Sequence, residues 1–199
     1  MKFSQKEIKD LFFAWIMISL AFTILFSGIS TLFNNPSFFI LSFLISGFTA
    51  GIGFLLHELM HKYVAQNYGL KAEFVAFYNM LFLAIGFSFF GFILAAPGAV
   101  MMQGRRITKE QNGKISLAGP MTNIVLGLGF LIPLIFLKPE GILRIFLDYG
   151  LIINALLALF NLIPLGPFDG KKIWEWNKTI HIITVLIALG LFLSKWVLF

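Results

Sequence analysis

His57, Glu58 and His61 form an H-E-x-x-H pattern inside the apolar stretch Phe54-Leu55-Leu56-His57-Glu58-Leu59-Met60-His61. Positions four apart share one face of a helix, so both imidazoles can turn a ring nitrogen to a single ion. Glu58 directly follows the first candidate ligand and points near the same ion without having to bind it. In this arrangement zinc activates a water and a carboxylate takes its proton. A five-residue pattern also arises by chance in ordinary helices. The background here argues against chance, because no charged side chain occurs between Phe38 and Leu56. An ionisable group at membrane depth costs about 2.5–3.5 kcal/mol or more, so it persists where it has a partner or a task.

Catalytic zinc usually has three protein ligands and one open position. An extended zinc-protease pattern would carry a histidine six residues after His61, and that position is Asn67. His181, near the start of the last apolar run, reads as a helix-end or interfacial residue. Among the carboxylates, Glu7 and Asp10 lie in a polar start, and Glu110 stands among basic residues. Glu140 and Asp148 fall on the opposite membrane side, with Asp148 at helical spacing from Arg144. Glu73 and Glu175 read as interfacial. Asp169 differs from these. It lies in Asn161-Leu-Ile-Pro164-Leu-Gly-Pro167-Phe-Asp169-Gly170, whose prolines and glycines fix the backbone around one carboxylate. Asp-Gly is also a common turn pair, which is the alternative reading. Beside the histidine pair, Asp169 is the best candidate for the third ligand.

The elements that must position these groups are apolar. The chain has 199 residues, 59% hydrophobic and 12% charged, with a mean hydropathy of +0.91. A soluble domain is nearer half apolar and a quarter charged. The composition therefore predicts an α-helical integral membrane protein in one domain, residues 1–199, without an appended soluble module. There is no cysteine, which excludes disulfides and thiol ligands. The net charge of +6 comes without a basic-aromatic surface motif, so the basic residues read as topology markers and no nucleic-acid partner is expected.

Five runs are long enough to span a bilayer: Leu11–Phe33, Phe38 to about Gln66, Ile115–Leu137, Ile142–Ile163 and Thr179–Phe199. Asn34-Asn35-Pro36 and Lys138-Pro139-Glu140-Gly141 read as turns, as does Asn112-Gly113 within a basic loop from Gly104 to Lys114. Gly47 and Gly51 form a G-x-x-x-G, a weak sign of close helix packing. Trp174 and Trp176 read as interfacial anchors in a connection from Pro164 to Lys178.

The region 71–103 is ambiguous. Its apolar core, Val75–Met102, has the length of one span and ends in a poor helix, Ala95-Ala96-Pro97-Gly98-Ala99. A single crossing would divide the lysines and arginines 8 to 7 between the two sides, whereas a segment that dips in and returns divides them 12 to 3. The positive-inside rule prefers the second. It predicts about five full transmembrane helices plus one re-entrant or membrane-embedded β or helical segment, with the N-terminus and the site's opening cytoplasmic. It also brings Asp169 to the same membrane side as His57 and His61. Irregular backbone is tolerable at that depth if it is buried in protein or lines a wet cavity.

These residues resemble the site-2 protease family of intramembrane zinc metalloproteases. Its signatures are H-E-x-x-H, then A-G-P-x-x-N, then N-x-x-P-x-x-P-L-D-G. Here they read His57 to His61, Ala118-Gly-Pro-Met-Thr-Asn123, and Asn161 to Gly170, in the family's order over roughly residues 50–175. The chain is most similar to the short archaeal members without PDZ or CBS modules. The resemblance implies one zinc per chain on His57, His61 and Asp169, with Glu58 as general base. It implies that Asn123 and Asn161 orient the site or the substrate backbone, and that a membrane-embedded β-structure follows the H-E-x-x-H helix. It further implies a multi-pass cell-membrane enzyme of regulated intramembrane proteolysis that cuts transmembrane substrates held extended on a strand edge, for which Ala95–Met102 is the candidate. Phe168 and Lys171 depart from the family's leucine and second glycine. Two other classes fit parts of the pattern. A CAAX-type membrane zinc protease needs a downstream helical glutamate with no good candidate here. A non-proteolytic metal-binding membrane protein, whether a transporter or a silent chaperone-like relative, would offer successive polar ligands or lack a catalytic group.

Overall fold

Helix α1 (Gln5–Ser27) starts within the polar N-terminal stretch, with Ser4 as N-cap accepting from the Glu7 N–H. The computed structural model describes residues 1–93, 97–104 and 106–198. A short helix, α2 (Ser30–Asn34), leads to the expected Asn-Asn-Pro turn, where Asn35 caps α3 (Pro36–Ser46) and Pro36 occupies its first turn. A π-helical turn, Gly47–Gly51, joins α3 to α4 (Ile52–Asn67), so that Pro36–Asn67 forms one rod of 32 residues. Strand β1 (Lys71–Ala76), helix α5 (Tyr78–Ser88) and strand β2 (Gly98–Gln103) follow. The second half holds α6 (Lys109–Leu137), α7 (Gly141–Asn161), the short α8 (Asp169–Trp176) and α9 (Lys178–Leu198).

Among the described residues, α1, the Pro36–Asn67 rod, α6, α7 and α9 are long and apolar enough to cross a membrane. The protein is an α-helical membrane protein. Side chains such as Val125, Ile132 and Phe136 on α6 and Leu186 and Val197 on α9 are exposed, the outward apolar faces that lipid would cover. Asp148 pairs with Arg144 at 2.8 Å, as its spacing predicts, and also takes Lys195 of α9 at 2.6 Å.

The region 71–103 is a strand, a helix and a strand. β1 and β2 pair antiparallel, with Lys71 opposite Gln103 and Ala76 opposite Gly98, so the segment returns to the end from which it left. Ala95 and Ala96, the first residues of the candidate strand edge, lie outside the described residues, as do Arg105 and Phe199.

Three local readings are corrected. Asn112-Gly113 is not a turn and Gly104–Lys114 is not wholly a loop. A Thr108–Gln111 capping box starts α6 at Lys109, and Gly113 lies inside that helix, where an added Cβ would come within 2.4 Å of Trp176. Trp174 and Trp176 belong to α8 rather than to an open connection. Nor are Glu7 and Asp10 part of a loose polar start, since each is buried at 1–2% exposure. Glu7 takes Lys62 of α4 at 2.5 Å and accepts the Phe74 N–H, while Asp10 accepts the Ala76 N–H and the Tyr78 hydroxyl. The G-x-x-x-G does serve close packing: the Trp15 indole donates to the Gly47 carbonyl at 3.0 Å, and a Cβ on Gly51 would lie 2.5 Å from the same ring.

Removing one partner of a buried ion pair strands the other charge, which costs about 3–5 kcal/mol. Glu7→Ala is therefore expected to destabilise the protein by that amount in denaturant unfolding of the detergent-solubilised chain. Glu7→Gln combined with Lys62→Met is expected to recover much of the loss.

Candidate metal centre

Helix α4 presents His57 and His61 one turn apart, and α8 brings Asp169 to them from its first position. The His57 and His61 Nε2 atoms lie 3.0 Å apart, and Asp169 Oδ2 is 3.4 Å from the first and 3.0 Å from the second. A tetrahedral centre with ligands at about 2.0–2.1 Å separates its ligand atoms by roughly 3.3 Å, so the three donors fit a zinc ion. All three residues are buried.

The ring orientations follow from what the other nitrogens do. His57 Nδ1 lies 2.6 Å from Asn123 Oδ1, and His61 Nδ1 lies 2.7 Å from the Ile115 carbonyl. A carbonyl oxygen only accepts, so each Nδ1 carries the proton and each Nε2 turns a lone pair to the shared point. Both acceptors come from α6. The same helix supplies Gly119, where a Cβ would lie 2.4 Å from His61 Nε2 and 2.5 Å from His57 Nε2. A glycine is needed where α6 passes the two rings. Asp169 turns its Oδ2 to the same two Nε2 atoms. The Lys172 ammonium stands 3.6 Å from its other oxygen.

These groups face a cavity of about 440 Å³, which Glu58, Asn123 and Asn161 also line. Glu58 is buried within α4. Asn161 ends α7, donates to the Leu157 carbonyl and lines the cavity. His181 is buried elsewhere, with Nε2 donating to the Leu162 carbonyl at 2.7 Å.

A strand edge borders the same cavity. Phe74 and Ala76 turn their N–H groups to Glu7 and Asp10, away from β2. Alternate residues of a strand face opposite ways, so Lys71, Glu73 and Val75 pair with Gln103, Met101 and Ala99. The backbone groups of Gly98, Val100 and Met102 then lie on the far edge of β2, and these three residues line the cavity. Among the described residues no strand pairs with that edge.

Sequence reasoning named His57, Glu58, His61, Asp169, Asn123 and Asn161, and all six face this cavity. It missed Gly119, although the A-G-P-x-x-N motif contains it. It also missed Lys172, which stands one helical turn after Asp169 and so shares its face.

Asp169→Ala is expected to lose most of its zinc in metal analysis of the purified protein. Gly119→Ala is expected to lose it too, with α-helical content unchanged by circular dichroism, because its methyl displaces both rings.

The chain is 42% identical over 198 residues to "Putative zinc metalloprotease MJ0611" of Methanocaldococcus jannaschii, with 98% of each chain covered. It is 34% identical over 153 residues to "Zinc metalloprotease MJ0392" of the same organism, covering 76% of this chain and 38% of that protein. It is 29% identical over 147 residues to "Putative zinc metalloprotease YwhC" of Bacillus subtilis, covering 62% of this chain and 64% of that protein. No family model matches the chain, and no solved structure matches it. At 42% identity over nearly the whole of both chains, the chain belongs to one family with the zinc metalloprotease of Methanocaldococcus jannaschii, and its three motifs, in order around one cavity, resemble those of the site-2 proteases.

Proposed function

We propose that this protein is an intramembrane zinc metalloprotease that hydrolyses peptide bonds in or near transmembrane segments of membrane-protein substrates. The observation that carries the reading is one cavity shared by three candidate ligands, a non-ligand carboxylate and a free strand edge. His57, His61 and Asp169 would hold one zinc per chain. When bound, zinc supplies a Lewis acid that polarises a carbonyl and lowers the pKa of a water toward about 7.

Glu58 accepts the proton of the attacking water as its oxygen bonds to the scissile carbonyl carbon. It then passes that proton to the departing amine as the C–N bond breaks. Asn123 holds the His57 ring through its Oδ1, and Asn161 faces the substrate backbone. A helical substrate uses its own backbone groups and must unwind before cleavage. The Gly98–Met102 edge then pairs with it by strand addition, which keeps the scissile bond extended.

The charge distribution supports a cytoplasmic N-terminus and a cytoplasmic opening in the cell membrane. From His61 to Asn67 the helix advances about 9 Å at 1.5 Å per residue, a short path for water.

Glu58→Gln is expected to lower cleavage of a reconstituted transmembrane peptide by about 10²–10⁴-fold, with zinc content unchanged. Undiminished cleavage by that variant rules out the mechanism. Val100→Pro removes one outward N–H from β2 while sparing its bonds to β1. It is expected to reduce kcat/KM by about tenfold, the worth of one or two backbone hydrogen bonds, with zinc retained.

A further inference from the structure

Asn154 lies in the middle of α7 with no exposed surface, and each of its two side-chain polar atoms has a hydrogen-bond partner. Its Nδ2 donates to the Gly150 carbonyl at 2.9 Å, and its Oδ1 accepts from Asn123 Nδ2 at 3.1 Å. Asn123 Nδ2 also donates to the Gly53 carbonyl at 3.2 Å, which leaves Asn123 Oδ1 to accept from His57 Nδ1 at 2.6 Å. This relay runs in one direction. The Gly150 carbonyl cannot donate, so the Asn154 amide cannot turn round. Asn123 is held the same way by two acceptors, and a reversed Asn123 would set its oxygen against both of them.

The two acceptors on Asn123 are not equivalent. The Gly53 carbonyl, four residues before His57, already serves the helical bond of α4. Among the described residues, the Asn154 oxygen accepts from Asn123 alone. Gly53 also admits Asn154, because a Cβ there would lie 2.6 Å from Asn154 Oδ1.

We infer that Asn154 is a positioning residue of the metal centre: through Asn123 it keeps the proton of His57 on Nδ1 and so keeps the Nε2 lone pair aimed at the ion. The inference rests on the zinc-site reading above. Without the Asn154 acceptor, Asn123 is free to present its amide protons to His57 Nδ1. The imidazole proton then moves to Nε2, and that nitrogen no longer binds a metal. Partners that orient ligating histidines are commonly worth about 10–100-fold in metal affinity.

The chain has three histidines, so ¹⁵N labelling of the rings reads each tautomer in the zinc-free, detergent-purified protein. His57 and His61 are expected to carry a proton on Nδ1, whether or not Asp169 Oδ2, 3.4 and 3.0 Å from their Nε2 atoms, also holds one there, and His181, which donates from Nε2, is expected as Nε2–H; the latter two serve as internal references. Asn154→Leu is expected to convert His57 in part to Nε2–H and to weaken zinc binding about 10–100-fold in chelator competition, with His61 and His181 unchanged. Asn154→Asp keeps the acceptor and is expected to keep the wild-type tautomer and affinity. An unchanged His57 tautomer in Asn154→Leu overturns the inference, and so does a switched tautomer in Asn154→Asp. If Asn154→Leu does not fold, Asn154→Ala, which also removes the acceptor, is read in its place with the same expected and overturning results. If wild-type protein binds no zinc while the His57 tautomer still follows Asn154, the relay stands and the zinc-site reading falls.

Discussion

Two imidazoles can serve one ion only if both offer a lone pair to the same point, and a neutral ring has one lone pair to offer. His57 and His61 meet this condition by spending their Nδ1 protons on oxygens of α6, Asn123 Oδ1 and the Ile115 carbonyl. Much of the architecture follows. α6 must cross α4 closely at the histidines, which requires Gly119 at the crossing. α7 must pack against both, so that Asn154 reaches Asn123 beside Gly53. The chain after α7 must then turn back so that α8 delivers Asp169 to the same point. The three motifs thus lie on separate elements held by one set of hydrogen bonds.

The carboxylates divide by the company they keep. Asp169 is drawn into the imidazole pair, with Lys172 beside its second oxygen. Glu7 and Asp10 are as deeply buried but touch neither histidine, and they satisfy Lys62 and the outer edge of β1. A hairpin among apolar helices has two edges whose backbone groups need partners. Here side chains of α1 occupy one edge, and the cavity borders the other.

What the sequence made legible was local. The histidine pair and Glu58 fall within five residues, Asp169 stands in a Pro- and Gly-marked segment, and the helices show as uninterrupted apolar runs. The return of 71–103 could be read because charge bias integrates over the whole chain. Its internal form could not, since a strand of six residues and a short apolar helix share one composition. Burial of Glu7, Asp10 and Lys62 was equally hidden. Their partners lie 55 to 68 positions away, and nothing near them marks the pairing. Gly113 misled for a related reason: the Asn-Gly pair signals a turn locally, but the capping box before it and Trp176 against it make that stretch helical.

The sealed edge of β1 also ties two parts of the chain to one another's fate. Glu7 and Asp10 can be buried because Lys62, the Phe74 and Ala76 N–H groups and the Tyr78 hydroxyl meet them there. Without the hairpin, two carboxylates on a helix otherwise suited to lipid would have no compensating partner. Without α1, the outer edge of β1 would leave its N–H groups unpaired at the same depth. Neither element is self-sufficient, and each completes the other.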